Sequence, residues 1–153
     1  MGVFSFLFQK PRKIYDDFFG ELVFIEFSKE QEKSYFECRR YFEPIGKNIE
    51  IGLGGNIGES LAGQRNFFME IEKKYTSITD TVIPIIEDEF RNWKENFAVK
   101  NFRFEFFPVY LNLTRFNKGS FEWEIAFNSI HDFNHQFTVS IKDFVAQSIL
   151  IDG

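Results

Sequence analysis

From Leu61 to Phe97 the chain reads LAGQRNFFMEIEKKYTSITDTVIPIIEDEFRNWKENF, and this stretch decides the fold. Leu61, Phe68, Ile71, Tyr75 and Ile78 recur at spacings of seven, three, four and three. Val82, Ile86, Phe90, Trp93 and Phe97 follow at four, four, three and four. Such spacings lay one apolar stripe along a helix. Ser60 stands where it can cap the first turn, Thr79 and Asp80 offer a second cap, and Pro84 suits the turn that follows. The pattern predicts two amphipathic helices, or one long helix bent at Pro84, over residues 60–97.

On either side the period falls to two. Leu22, Val23, Phe24, Ile25 and Phe27 form a dense β-prone run, and the polar stretch Ser28 to Lys33 reads as a hairpin loop. Phe36, Cys38, Arg40 and Phe42 then alternate with Tyr35, Glu37, Arg39 and Tyr41, as a half-buried strand requires. Ile49, Ile51 and Leu53 give a third strand. Beyond the helices, Phe102, Phe104 and Phe106 alternate with Arg103 and Glu105, and Pro108 demands an edge position or a bulge. Val109, Leu111 and Leu113 resume the pattern, Asn117-Lys118-Gly119 is a turn, and 121–127, 137–141 and 148–151 read as strands.

The order is strands, two helices, strands. No strand–helix–strand alternation occurs, which argues against a doubly wound parallel sheet. The expectation is an α+β fold: an antiparallel sheet with the helices packed on one face. The opposite face would carry Arg103, Glu105, Glu122, Glu124, Thr138, Ser140 and Lys142. A length of 153 residues suits a single domain, 1–153, with residues 1–15 as a loosely docked N-terminal segment.

Composition narrows the function classes. The chain holds 23 Phe but only five Tyr and two Trp, so its aromatic surplus reads as core filler, not as a binding surface. A net charge of −5 repels polyphosphate, and the largest basic cluster is Lys10, Arg12 and Lys13; the expectation is no nucleic-acid partner. A basic protein partner fits the charge. One cysteine, Cys38, allows neither an intrachain disulfide nor a thiolate metal site, and its strand context suggests a buried small hydrophobe. No run approaches the ~20 apolar residues of a membrane helix. Phe4, Phe6, Leu7 and Phe8 lack the basic start and cleavage site of a signal peptide, and Phe6 stands where N-myristoylation wants Ser or Thr. The expected location is the cytoplasm, with no stable membrane insertion. A peripheral membrane adaptor using that Phe-rich segment stays open.

Three motifs invite chemistry. Gly52-Leu53-Gly54-Gly55-Asn56-Ile57-Gly58 sits between strand and helix, where a dinucleotide fold holds pyrophosphate, but Ile57 occupies the third glycine position. Gly58 and Gly63 have P-loop spacing, yet Gln64-Arg65 follow instead of Lys and Ser/Thr. What remains is a flexible connection, with a weak anion site at the helix start near Arg65. His131-Asp132-Phe133-Asn134-His135 imitates a zinc-binding H-E-x-x-H, with Asp132 in place of Glu. Turn-favouring Asn and Asp make it a solvated loop, and a metal-dependent hydrolase using His131, Asp132 and His135 is the rival function. Glu87, Asp88 and Glu89, with Glu70, Glu72 and Asp80 nearby, read as a solvated helix face or as an acidic docking surface. No cofactor is implied.

The Phe-rich N-terminal hairpin, the helical segment Gln64 to Trp93 and the tail give a layout with a resemblance. That tail runs from Phe121-Glu-Trp-Glu-Ile-Ala-Phe through Phe137-Thr-Val-Ser-Ile to Ile149-Leu-Ile-Asp-Gly. The layout resembles small acidic bacterial proteins grouped with the immunity proteins of polymorphic toxin systems. The resemblance implies a cytoplasmic α+β protein that neutralises a toxin, and no catalytic residues. The expected function is therefore a non-enzymatic protein-binding module that occludes a toxin-like basic partner. Glu87, Asp88, Glu89, Glu122 and Glu124 are the candidate interface; oligomeric state is left open.

Overall fold

The computed structural model describes residues 12–116 and 122–152. Strands β1 (Arg12–Asp16), β2 (Gly20–Ile25), β3 (Tyr35–Phe42) and β4 (Lys47–Gly54) come first. Helices α1 (Ala62–Lys73), α2 (Tyr75–Phe90) and the short α3 (Phe102–Glu105) follow. Strands β5 (Phe106–Leu113), β6 (Glu122–Ser129), β7 (Asp132–Lys142) and β8 (Val145–Asp152) complete the chain. All eight strands form one sheet in sequential order, β1 to β8.

Mixed α and β structure is as the periodicities require, but the sheet is not antiparallel throughout. β4 and β5 run parallel, Glu50 beside Tyr110 and Leu53 beside Leu113, while every other neighbouring pair is antiparallel. A parallel pair needs a crossover of a dozen or more residues, and the helices supply it. The molecule is thus two four-stranded meanders joined at a central seam.

Alternation sets which side chains are buried. Leu22, Phe24, Phe36, Phe42, Ile51, Leu53, Leu111, Ile125, Phe127, Phe137 and Val139 join Phe68, Ile71, Ile78, Val82, Ile86 and Phe90 of the helices in one core. Phenylalanine organises both ends of it. Phe68 meets Phe18, Phe19 and Phe42 with centroids 5.9–6.0 Å apart, and Phe90 meets Phe97, Phe106 and Phe137 at 4.5–5.7 Å. Mostly edge-on or tilted contacts suit the ring quadrupoles.

Several boundaries differ from the pattern. The helical stretch divides at Lys74 (φ −98°, ψ 9°) and not at Pro84, which lies inside α2. Pro84 removes the N–H that Asp80's carbonyl would receive, yet both residues are exposed, so that carbonyl is not buried without a donor. α2 ends at Phe90; beyond it a run of turns carries Trp93 out to 48% exposure while Phe97 stays buried. Phe102–Glu105, expected as a strand, is a helical turn, so Arg103 and Glu105 leave the outer sheet face and Glu105 becomes buried. Pro108 sits in an interior strand beside a register shift between Pro108 and Tyr110, so the bulge is the solution and the edge is not. Arg12–Asp16, expected within a loose N-terminal segment, pairs along its length with β2. The Asn117-Lys118-Gly119 turn and Phe4 to Phe8 lie outside the described residues.

Candidate functional site

Side chains that alternate away from the core make an outer sheet face, and its chemistry is polar. β3 contributes Tyr35, Glu37, Arg39 and Tyr41; β4 contributes Asn48, Glu50 and Gly52; β5 contributes Tyr110 and Asn112. Glu122 and Glu124 extend it on β6, and Ser140 and Lys142 on β7. Several concavities open on this face. One of about 410 Å³ is lined by Asn112, Arg115, Glu122, Glu124, Ser140 and Lys142 among others. A second, about 430 Å³, lies over Arg39, Asn48, Glu50, Tyr110, Asn128 and Gln136.

Three acids on this face have side-chain partners. The Glu124 carboxylate accepts a hydrogen bond from Asn112 Nδ2 at 3.0 Å, and Glu122 lies 3.5 Å from Arg115. Glu37 accepts the Tyr35 hydroxyl at 2.9 Å. Partial burial, then that carboxylate, push the Tyr35 phenol up to about 12, so it stays a proton donor at any ordinary pH. Tyr110 is raised further, chiefly by burial and then by Glu37. The phenol crosses the seam and fills the space above Gly52, where an added Cβ would strike its Oη. Carboxylates and neutral phenols side by side make a surface that accepts cations through the former and donates through the latter.

The helix acids belong elsewhere. Glu87, Asp88 and Glu89 lie at the end of α2, on the core side of the sheet, so they share no surface with Glu122 and Glu124. Glu87 is occupied structurally: its carboxylate accepts the Val99 N–H at 2.9 Å and sits 3.9 Å from Arg91. Asp88 is 3.3 Å from the same guanidinium. The five expected interface residues therefore fall into two groups on opposite sides of the molecule.

The segment expected as a solvated loop is mostly strand: His131 lies in the turn after β6, Asp132–His135 open β7, and the two histidines go to different partners. His135 Nδ1 is 2.7 Å from Asp132 Oδ2; this bond and the Asn134 N–H hold the Asp132 carboxyl below its ordinary value. His131 Nε2 is 2.8 Å from Glu105 Oε1, with its ring packed among Phe90, Phe97 and Phe106. Among the described residues no group of three or more His, Cys, Asp or Glu is arranged to hold a metal ion. The Glu105–His131 pair was hidden in the sequence, because Glu105 alternates like a surface residue of a strand.

The glycine-rich turn leads into α1 without a side-chain cap on Leu61, although Ser60 Oγ accepts the Ala62 N–H at 3.2 Å. The concavity there carries Asp16, Asp17 and Glu59 beside Arg65, and the Arg65 guanidinium lies 5.0 Å from the Phe18 ring centroid. Three carboxylates around one arginine disfavour an anion. Cys38 is buried, and burial pushes its thiol up to about 12. No described helix is long and apolar enough to cross a membrane. A scan against protein-family models, a search of curated proteins and a search of solved structures each find no match.

Proposed function

We propose that this protein is a non-enzymatic binding module that occludes a basic protein partner, as an immunity protein occludes its toxin. In this reading the helices cover one face of the sheet and the other face does the binding. The observation that carries it is the composition of that open face: Glu37, Glu50, Glu122 and Glu124, which line its concavities, beside the tyrosines 35, 41 and 110. Tyrosine offers large contact area at low conformational cost, and fixed carboxylates speed encounter with a basic surface. The layout's resemblance to toxin-immunity proteins supports the same reading. The docking surface narrows to Glu122 and Glu124 with their β3–β5 neighbours, and Glu87, Asp88 and Glu89 fall outside it.

The test begins with partners captured at low salt and at about 0.5 M salt, where the screening length falls well under ~10 Å. A purified basic partner is then titrated against the wild type, against Glu122→Lys with Glu124→Lys, and against Asp88→Lys with Glu89→Lys. The expected result is a loss of at least roughly tenfold in affinity for the sheet-face pair, mainly as slower association. The helix pair should bind as the wild type does. Equal affinity for all three proteins overturns the assignment of the surface.

A further inference from the structure

The sheet has two ends, and they are built differently. β1 is five residues long and carries Arg12, Lys13 and Asp16, a short charged edge of the kind that resists further pairing. β8 reads Val-Ala-Gln-Ser-Ile-Leu-Ile-Asp and has no charge before Asp152. Leu150 is 60% exposed and Val145 51%, while Ile149 and Ile151 are half-buried against the core from this last strand. Helix α2 packs against β8, and near the start of the strand the Ala146 N–H donates to Thr81 Oγ1 at 3.0 Å. From Gln147 onward no described strand lies beyond it.

We propose that Ser148–Asp152 pairs antiparallel with the same segment of a second copy, so that two sheets join across a twofold axis at Leu150. Charge selects this occupant. The chain carries a net charge of −5, so two copies can meet closely only where no carboxylates oppose each other. Pairing centred on Leu150 sets Ile149 opposite Ile151 and Asp152 opposite Ser148, so neither Asp152 faces its counterpart. A basic strand would meet only one carboxylate along this edge. The twofold arrangement uses the same patch on both copies and closes at a dimer, leaving the charged β1 edges outermost. This inference is independent of the proposed partner on the sheet face.

The experiment is sedimentation velocity on the full chain from about 5 to about 200 μM. The wild type should shift from its 18.2 kDa monomer towards twice that mass as concentration rises. Leu150→Lys and Leu150→Glu each place like charges at the axis, and each should weaken association by at least roughly tenfold. Far-ultraviolet circular dichroism should be unchanged, because Leu150 is exposed. Mixing the two variants in equal amounts should restore the dimer, since Lys then faces Glu. A wild type that stays monomeric throughout, a dimer indifferent to both variants, a mixture that fails to associate, or growth beyond the dimer would each overturn the pairing.

Discussion

Glu105 Oε1 and His131 Nε2 stand 2.8 Å apart, and this contact fastens the turn before β5 to the β6–β7 hairpin. The Glu105 carboxylate also accepts the N–H of Lys100 at 2.8 Å and that of Asn101, while its own backbone carbonyl takes the Ile130 N–H at 3.1 Å. Burial alone would raise the carboxyl's pKa. The Asn101 N–H, the His131 ring and the Lys100 N–H outweigh it, and the net result lies below the ordinary 4.5. A folded value below the unfolded one means stability that is present above 4.5 and lost as pH falls through the lowered value. Glu105→Gln should therefore cost roughly 2 kcal/mol near neutrality. Urea unfolding should show its stability falling less steeply than that of the wild type in acid; identical pH slopes would sink the assignment.

Gly52 and Tyr110 are matched across the seam. Gly52→Ala should destabilise by about 1–3 kcal/mol, because the new methyl meets the phenol oxygen. In a Tyr110→Phe background the same change should cost less, since the struck atom is gone. At Gly54 the obstacle is the Thr114 backbone carbonyl, so Gly54→Ala should find no relief from Tyr110→Phe. Thermal melts of the single and double variants decide it.

Neighbouring acids on α2 should behave differently. The Glu87 side chain is 19% exposed and accepts the Val99 N–H, whereas that of Asp88 is 80% exposed. Glu87→Ala should lose roughly 1–2 kcal/mol and loosen the connection that holds Val99. Asp88→Ala should leave the denaturation midpoint where it is. Matched losses would mean that Glu87 is not the anchor the geometry describes.

Cys38 should be inert while the protein is folded. Its thiol is buried and pushed up to about 12, chiefly by burial, so almost no thiolate forms at neutral pH. Alkylation by iodoacetamide should track global unfolding and accelerate in urea. Prompt modification in native buffer would contradict the burial.

The strands were legible where one face is buried, because an alternation such as Phe36, Cys38, Arg40 and Phe42 leaves few other solutions. β1 was not, since Arg12–Asp16 offers only Ile14 to a core and becomes a strand by pairing with β2. Phe102–Glu105 alternates like a strand yet coils, because its place is fixed by Glu105 reaching back to Lys100 and Asn101 and across to His131. Side-chain hydrogen bonds of this kind have no period. The site was half legible: Glu122 and Glu124 face outward as their alternation requires. Their separation from Glu87 depends on which side of the sheet the helices lie, and local sequence is silent on that.

The parallel seam between β4 and β5 has a kinetic consequence. All other strand pairings link neighbours in the chain and form as hairpins within microseconds. The seam alone requires the whole helical crossover to be gathered in, so loop closure there sets the folding barrier. Ile51→Val, beside Leu111 at that seam, should slow refolding more than it hastens unfolding. Val139→Ala, within the β6–β7 hairpin that is already formed when the seam closes, should leave the unfolding rate almost unchanged. Each meander would then be an early-formed unit, and the native state would be reached when the two recognise each other along a single pair of strands.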